Sequence, residues 1–178
     1  DGSTQSTSQL TVRVTESTVG TNGPEAMPAS LPPASAYTYC ADFTADEAIE
    51  AGADEITFNH PVHDYVNNFL GFAVGTPVPD GYYDPKRACW VPDANGVVMQ
   101  ILSVSNGLAQ VDLSGNGLAA DAGTLATNDF TTNELAYLAA KYPVGTTLMR
   151  VPLAHFSQHD HNFATQITSS PKSPTAGD

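Results

Sequence analysis

Fourteen glycines and thirteen prolines punctuate this chain, and the apolar residues between them fall into short runs, several with a period of two. Proline removes a backbone donor and glycine weakens any element it interrupts, so such a text suits strands joined by turns better than packed long helices. Charged residues make up only 14%, which points the same way. The expected fold is mainly β: an antiparallel β-sandwich with one or two short helices near residues 45–50 and 132–142.

Residues 10–15, Leu-Thr-Val-Arg-Val-Thr, alternate and read as a first strand. Residues 20–33 are Gly/Pro-rich and read as loop, with Ala26-Met27-Pro28 docked on the core. Residues 36–43 form the second strand, and Thr44-Ala45-Asp46-Glu47 has the spacing of a capping box opening a helix that stops at Gly52. Residues 56–62 read as a strand with an edge or bulge at Pro61. Segments 88–91 and 97–104 flank Asp93-Ala94-Asn95-Gly96, a hairpin signal, and 108–113 follows as another strand.

Residues 132–142 are the clearest helix: Thr131 and Glu134 have capping-box spacing, Leu135, Leu138, Ala139 and Tyr142 form an apolar stripe, and Pro143 ends it. The run 147–156 is expected to be the last core strand. Segments 1–8 and 166–178 are poor in apolar residues and read as an N-terminal tail and a Ser/Pro/Thr linker around a single domain, 9–165.

Nineteen acidic residues against six basic ones give a formal charge of −13, which repels phosphate backbones and anionic lipid. The cations Arg13, Lys86, Arg87, Lys141, Arg150 and Lys172 form no stripe, so nucleic acid is not an expected partner. No apolar run reaches the roughly 18 residues a membrane helix needs, and the first residues lack the pattern of a signal peptide, so the chain reads as an excised soluble module without direct membrane insertion. Cys40 and Cys89 lie in expected strands. A disulfide between them would contribute about 4 kcal/mol in the chain-entropy model and fits an extracellular setting; two buried free thiols are the alternative.

Three constellations carry candidate chemistry. His155-Phe156-Ser157 closes the last apolar run, with Ser157 as nucleophile, His155 as base and the Phe156–Ser157 bond as target of an N-to-O acyl shift followed by ester hydrolysis. That chemistry needs an aligned hydroxyl and a strained peptide; otherwise the tripeptide merely ends a strand. Asp112, Ser114 and Asn116 place oxygens at positions one, three and five of an EF-hand-like calcium loop with Gly117 at six. Position twelve is Gly123 instead of an acid, so Asp121 or Asp129 would have to substitute with a different loop geometry, and a plain turn is the competing interpretation.

The histidines fall in two groups, His60 with His63, and His155 with His159 and His161, beside Asp64 and Asp160. Imidazole with carboxylate is the inventory of a zinc, copper or nickel site, against five ordinary surface histidines. The aromatics Tyr65, Phe69, Phe72, Tyr82, Tyr83 and Trp90 offer a carbohydrate platform or simply core filling.

Taken together, Asp46-Glu47-Ala48-Ile49 with Ala51-Gly52-Ala53, Ile56-Thr57-Phe58 with Pro61-Val62, Tyr65 with Asn68-Phe69-Leu70, Val74-Gly75, Val78-Pro79, Gly81-Tyr82-Tyr83-Asp84, Trp90-Val91-Pro92 with Asn95-Gly96, and Arg150-Val151-Pro152 with His155-Phe156 resemble a known domain. It is the one found upstream of YD repeats in large secreted RHS-type bacterial proteins, and is more distantly similar to ZU-type and GAIN-type β-sandwiches. The resemblance implies a non-catalytic structural or interaction module of an extracellular or cell-surface giant, with neighbouring domains of the same polypeptide as partners and calcium as a candidate cofactor. An autoproteolytic ZU-like or GAIN-like domain is the alternative, and a glycan- or metal-binding module the second. Where relatives tend to read His-Phe-Thr-Pro-Trp-Asp, this chain has His155-Phe156-Ser157-Gln158-His159-Asp160, which keeps a hydroxyl and loses the Pro-Trp.

Overall fold

The computed structural model describes residues 4–17, 27–29 and 35–164. In chain order the elements are β1 (Val12–Glu16), β2 (Ser35–Ala45), α1 (Asp46–Ala51), β3 (Ile56–Asn67), β4 (Pro77–Val78), β5 (Gly81–Asp84), β6 (Cys89–Pro92), β7 (Gly96–Ser105), β8 (Leu108–Asp112), α2 (Ala122–Thr127), α3 (Thr132–Lys141), β9 (Thr147–Phe156) and β10 (Gln158–Ala164). One antiparallel sheet runs β1-β2-β10-β5-β6, and the other runs β3-β9-β7-β4 with β8 also paired to β7. The fold is the expected mainly-β architecture of two antiparallel sheets, with three helices among the described residues. Among the described residues no helix is long and apolar enough to cross a membrane.

The middle of the second sheet, where β7 and β9 pair, is buried on both faces. Tyr39, Ala41 and Phe43 of β2 meet Val78, Val98, Met149, Val151 and Leu153 between the sheets. On the opposite face Met99, Ile101, Ala109, Val111 and Leu148 pack against Leu135 and Leu138 of α3. Strand β9 therefore sends alternate residues into two cores, which is why its sequence is apolar almost throughout. The helix α3 forms as anticipated, its N-terminus closed by a reciprocal Thr131–Glu134 capping box. Pro61 falls within the register shift of β3 against β9 between Thr57 and Val62, where a missing donor does no harm.

Several expectations are corrected. Segments 88–91 and 97–104 do not form a hairpin: β6 pairs with β5 in the first sheet and β7 with β4, β8 and β9 in the second. Gly96 serves a close approach instead of a turn, since a Cβ there would run into the Arg150 carbonyl oxygen and stand 2.9 Å from Val151 Cα. Thr44 does not cap α1; it is still paired with Arg13 in the sheet, and Glu47 accepts from the Thr11 backbone N–H (2.7 Å) and hydroxyl (2.8 Å). The run ending at Phe156 is not the last strand, because β10 follows and lies between β2 and β5. Helix α2, capped by Asp121, was not foreseen.

Cys40 and Cys89 are free thiols. They stand on β2 and β6, three ladder steps apart, or about 14 Å at ~4.8 Å per step. Bridged cysteines have Cα atoms only about 4.4–6.8 Å apart. Of the expected loop 20–33 only residues 27–29 are described, and there the Trp90 indole donates to the Ala29 carbonyl at 3.4 Å. The expected linker 166–178 lies outside the described residues.

Candidate functional site

Three of the links that carry the chain from one sheet to the other are short and bear reactive side chains. Asp80 lies between β4 and β5, Asp93 between β6 and β7, and Ser157 alone separates β9 from β10. The first two links are joined directly, the Asp93 backbone N–H donating to the Asp80 carbonyl at 3.0 Å. Side chains of residues two apart on a strand share a face, so His155 reaches Ser157, and His159 and His161 both turn toward Asp80.

At the junction the Ser157 hydroxyl lies 3.2 Å from Nδ1 of His155, and Nε2 of the same ring lies 3.5 Å from Oδ2 of Asp93. The Tyr82 ring meets the His155 ring edge-on, with centroids 4.6 Å apart. Phe156 points away into the core, against Phe43 and Phe58. The junction backbone is held: the Phe43 N–H donates to the Ser157 carbonyl at 3.1 Å. None of residues 155–158 has a positive φ.

Behind the junction runs a buried chain of imidazoles and carboxylates. Nδ1 of His159 is 3.0 Å from one oxygen of Asp80, and Nδ1 of His161 is 2.8 Å from the other. Nε2 of His161 reaches Oδ2 of Asp64 on β3 at 3.3 Å, which ties the two sheets together. An ionised carboxylate only accepts, so both Nδ1 atoms carry hydrogen. Burial alone would lower the His161 pKa, but the two carboxylates outweigh it and raise the pKa to about 9. Burial alone would raise that of Asp80, but donation from His159 and His161 holds it below the ordinary carboxylate value. His161 is thus a cation between two anions, an arrangement in which each desolvated charge is hydrogen-bonded.

The histidines expected to be at the surface divide. His159 and His161 are fully buried in β10. His60 and His63 lie on β3 and line a depression with Glu134 and Phe130, where His63 Nδ1 is 3.8 Å from Glu134. Among the described residues, the group that comes together is Asp93, His155 and His159, one candidate ligand atom from each lying within 4.8 Å of the others. Asp80 and Asp93 are not legible as site residues in the sequence, where Asp93 reads only as part of a hairpin turn. For the two buried histidines a signal was available, the alternation in Gln158-His159-Asp160-His161, which is the pattern of a strand.

In the calcium-loop candidate, Asp112 accepts backbone N–H groups from Ser114 (2.8 Å), Gly115 (2.8 Å) and Gly117 (2.7 Å). The Ser114 hydroxyl donates to the same carboxylate at 3.2 Å. Asn116 Oδ1 accepts from Leu118 N–H, and Asp121 caps α2 through Thr124 N–H. All four side chains are thus engaged in shaping the loop and the helix start. The aromatic residues do not form one platform: Tyr65 donates to Glu134, Tyr83 pairs with Trp90, Tyr82 packs on His155, and Phe69 is exposed.

Comparisons with protein-family models, curated proteins and solved structures return no match.

Proposed function

We propose that this chain is a β-sandwich module of a larger polypeptide that cuts its own backbone between Phe156 and Ser157. The observation that carries the reading is the alignment of the Ser157 hydroxyl on Nδ1 of His155, with Asp93 facing the far nitrogen of that ring. His155 takes the hydroxyl proton as Oγ attacks the Phe156 carbonyl carbon. The C–N bond then breaks, and the imidazolium returns the proton to the leaving amine of Ser157. Water hydrolyses the resulting ester, giving a carboxylate at Phe156 and restoring the Ser157 hydroxyl on a new amino terminus. Pairing of β10 with both β2 and β5 would keep the two products associated after the cut.

Mass spectrometry under denaturing conditions tests this. A fragment beginning at Ser157 is expected, abolished by Ser157→Ala and by His155→Ala, and accelerated by hydroxylamine, which traps the ester. A wild-type chain that stays intact through prolonged incubation with hydroxylamine overturns the reading.

A second reading is a non-catalytic spacer of a secreted or cell-surface protein, the role implied by the resemblance to domains upstream of YD repeats. The lack of a positive φ or a cis bond at 155–158 and the Phe43–Ser157 hydrogen bond favour it, because they show no strain at the peptide. It requires that the same mass measurement find only the intact chain.

A further inference from the structure

We infer that Asp93, His155 and His159 form a binding site for one divalent transition-metal ion of the zinc class. One candidate ligand atom from each of the three residues converges there. Oδ2 of Asp93 is buried and has no hydrogen-bond partner, its nearest basic neighbour being Nε2 of His155 at 3.5 Å. Nε2 of His159 faces the carbonyl oxygen of His155 at 3.3 Å, while its Nδ1 is committed to Asp80. Oδ2 of Asp93 is thus an unused buried acceptor beside two imidazole rings, and a cation seated among them would satisfy it.

The second ring nitrogen of His159 has the environment expected of a metal ligand. Its Nδ1 donates to Asp80 at 3.0 Å, which fixes the tautomer and orients Nε2, and Asp80 is itself held by His161 at 2.8 Å. Two imidazoles and a carboxylate suit zinc, with a fourth position left for water. Ligand bonds of about 2.0–2.2 Å place tetrahedral donors roughly 3.4 Å apart. The Asp93–His155 separation of 3.5 Å already meets that, and the 4.8 Å envelope of the trio closes by small side-chain rotations. The surrounding charge of −13 draws cations toward the protein.

Binding does not depend on self-cleavage, so it is tested in the Ser157→Ala chain, which keeps all three ligands and cannot be cut. Titration with cobalt(II) or zinc chloride, followed by cobalt absorption and calorimetry, should show one saturable site per chain. Asp93→Asn, which preserves shape, and His155→Ala should each weaken binding tenfold or more while circular dichroism confirms the fold. A His60→Ala/His63→Ala chain should bind as the parent does. Absence of saturable binding, or unchanged affinity in both Asp93→Asn and His155→Ala, overturns the site, as does loss of binding in the His60/His63 variant alone.

Discussion

Glu134 of α3 grips Arg150 of β9 side-on, Nε donating to one carboxylate oxygen at 2.8 Å and Nη2 to the other at 3.2 Å. Arg150 is only 4% exposed, its Nη1 donates to the Asn128 carbonyl at 2.9 Å, and its guanidinium lies 3.8 Å from the centre of the Phe130 ring. Removing one partner of such a pair strands a desolvated charge. Glu134→Ala is therefore expected to lower stability by about 3–5 kcal/mol in urea unfolding. The double variant with Arg150→Ala should cost less than the two single losses added together. Burial alone would raise the Glu134 pKa, but hydrogen bonds from Arg150 and Tyr65 and the Arg150 charge hold it below 4.5. The contribution is thus complete above that value and lost as pH falls through the lower folded one. Glu134→Gln should flatten that acid limb.

The two thiols should differ in reactivity. Cys40 is fully buried, and burial, then the nearby Asp160 charge, push its pKa up to about 12. Cys89 is half-buried at the end of the outer strand β6. A thiol-exchange reagent is expected to label Cys89 alone in the native protein and both cysteines in denaturant. Failure to label either one in denaturant without reductant would mean a disulfide after all.

Gly96 and Gly107 separate packing from backbone strain. At Gly96 a methyl group meets the backbone of Arg150 and Val151, which cannot step aside without parting β7 from β9. Gly96→Ala is expected to cost about 3 kcal/mol or more, measured as the shift in urea midpoint. Gly107 has open space around it and a φ of +76°, so Gly107→Ala should cost only about 1 kcal/mol.

Much of the strand pattern and the whole of α3 were legible, because Thr131, Glu134, Leu135 and Leu138 signal a capped amphipathic helix through neighbours in sequence. The misreadings share a cause: one local signal answers to two distant requirements. Asn95-Gly96 looks like a hairpin turn, yet the glycine is required by contact with Arg150, far away in sequence. Gln158-His159-Asp160-His161 looks like a polar exit, yet its histidines are buried because Asp80 from the β4–β5 link and Asp64 from β3 pair with them. His155 and Ser157 could be matched from spacing alone, since adjacent same-face positions on an extended chain meet wherever the strand ends. Asp93 could not, because only the crossing between sheets brings it to His155.

Metal binding and self-cleavage make incompatible demands on His155, which gives the last prediction. To accept the Ser157 proton, Nδ1 must be bare, so Nε2 carries the hydrogen and directs it toward Asp93. An ion on Nε2 instead leaves the proton on Nδ1, where it donates to the Ser157 oxygen and cannot receive a second one. Zinc should therefore slow formation of the fragment beginning at Ser157 in proportion to the unliganded fraction, about tenfold at a free concentration near ten times Kd. A chelator should restore the rate. The check is the time course of the fragment by mass spectrometry across a zinc titration, with binding measured separately in Ser157→Ala. If zinc saturates that chain while wild type is cut at an undiminished rate, the ion and the base do not share His155.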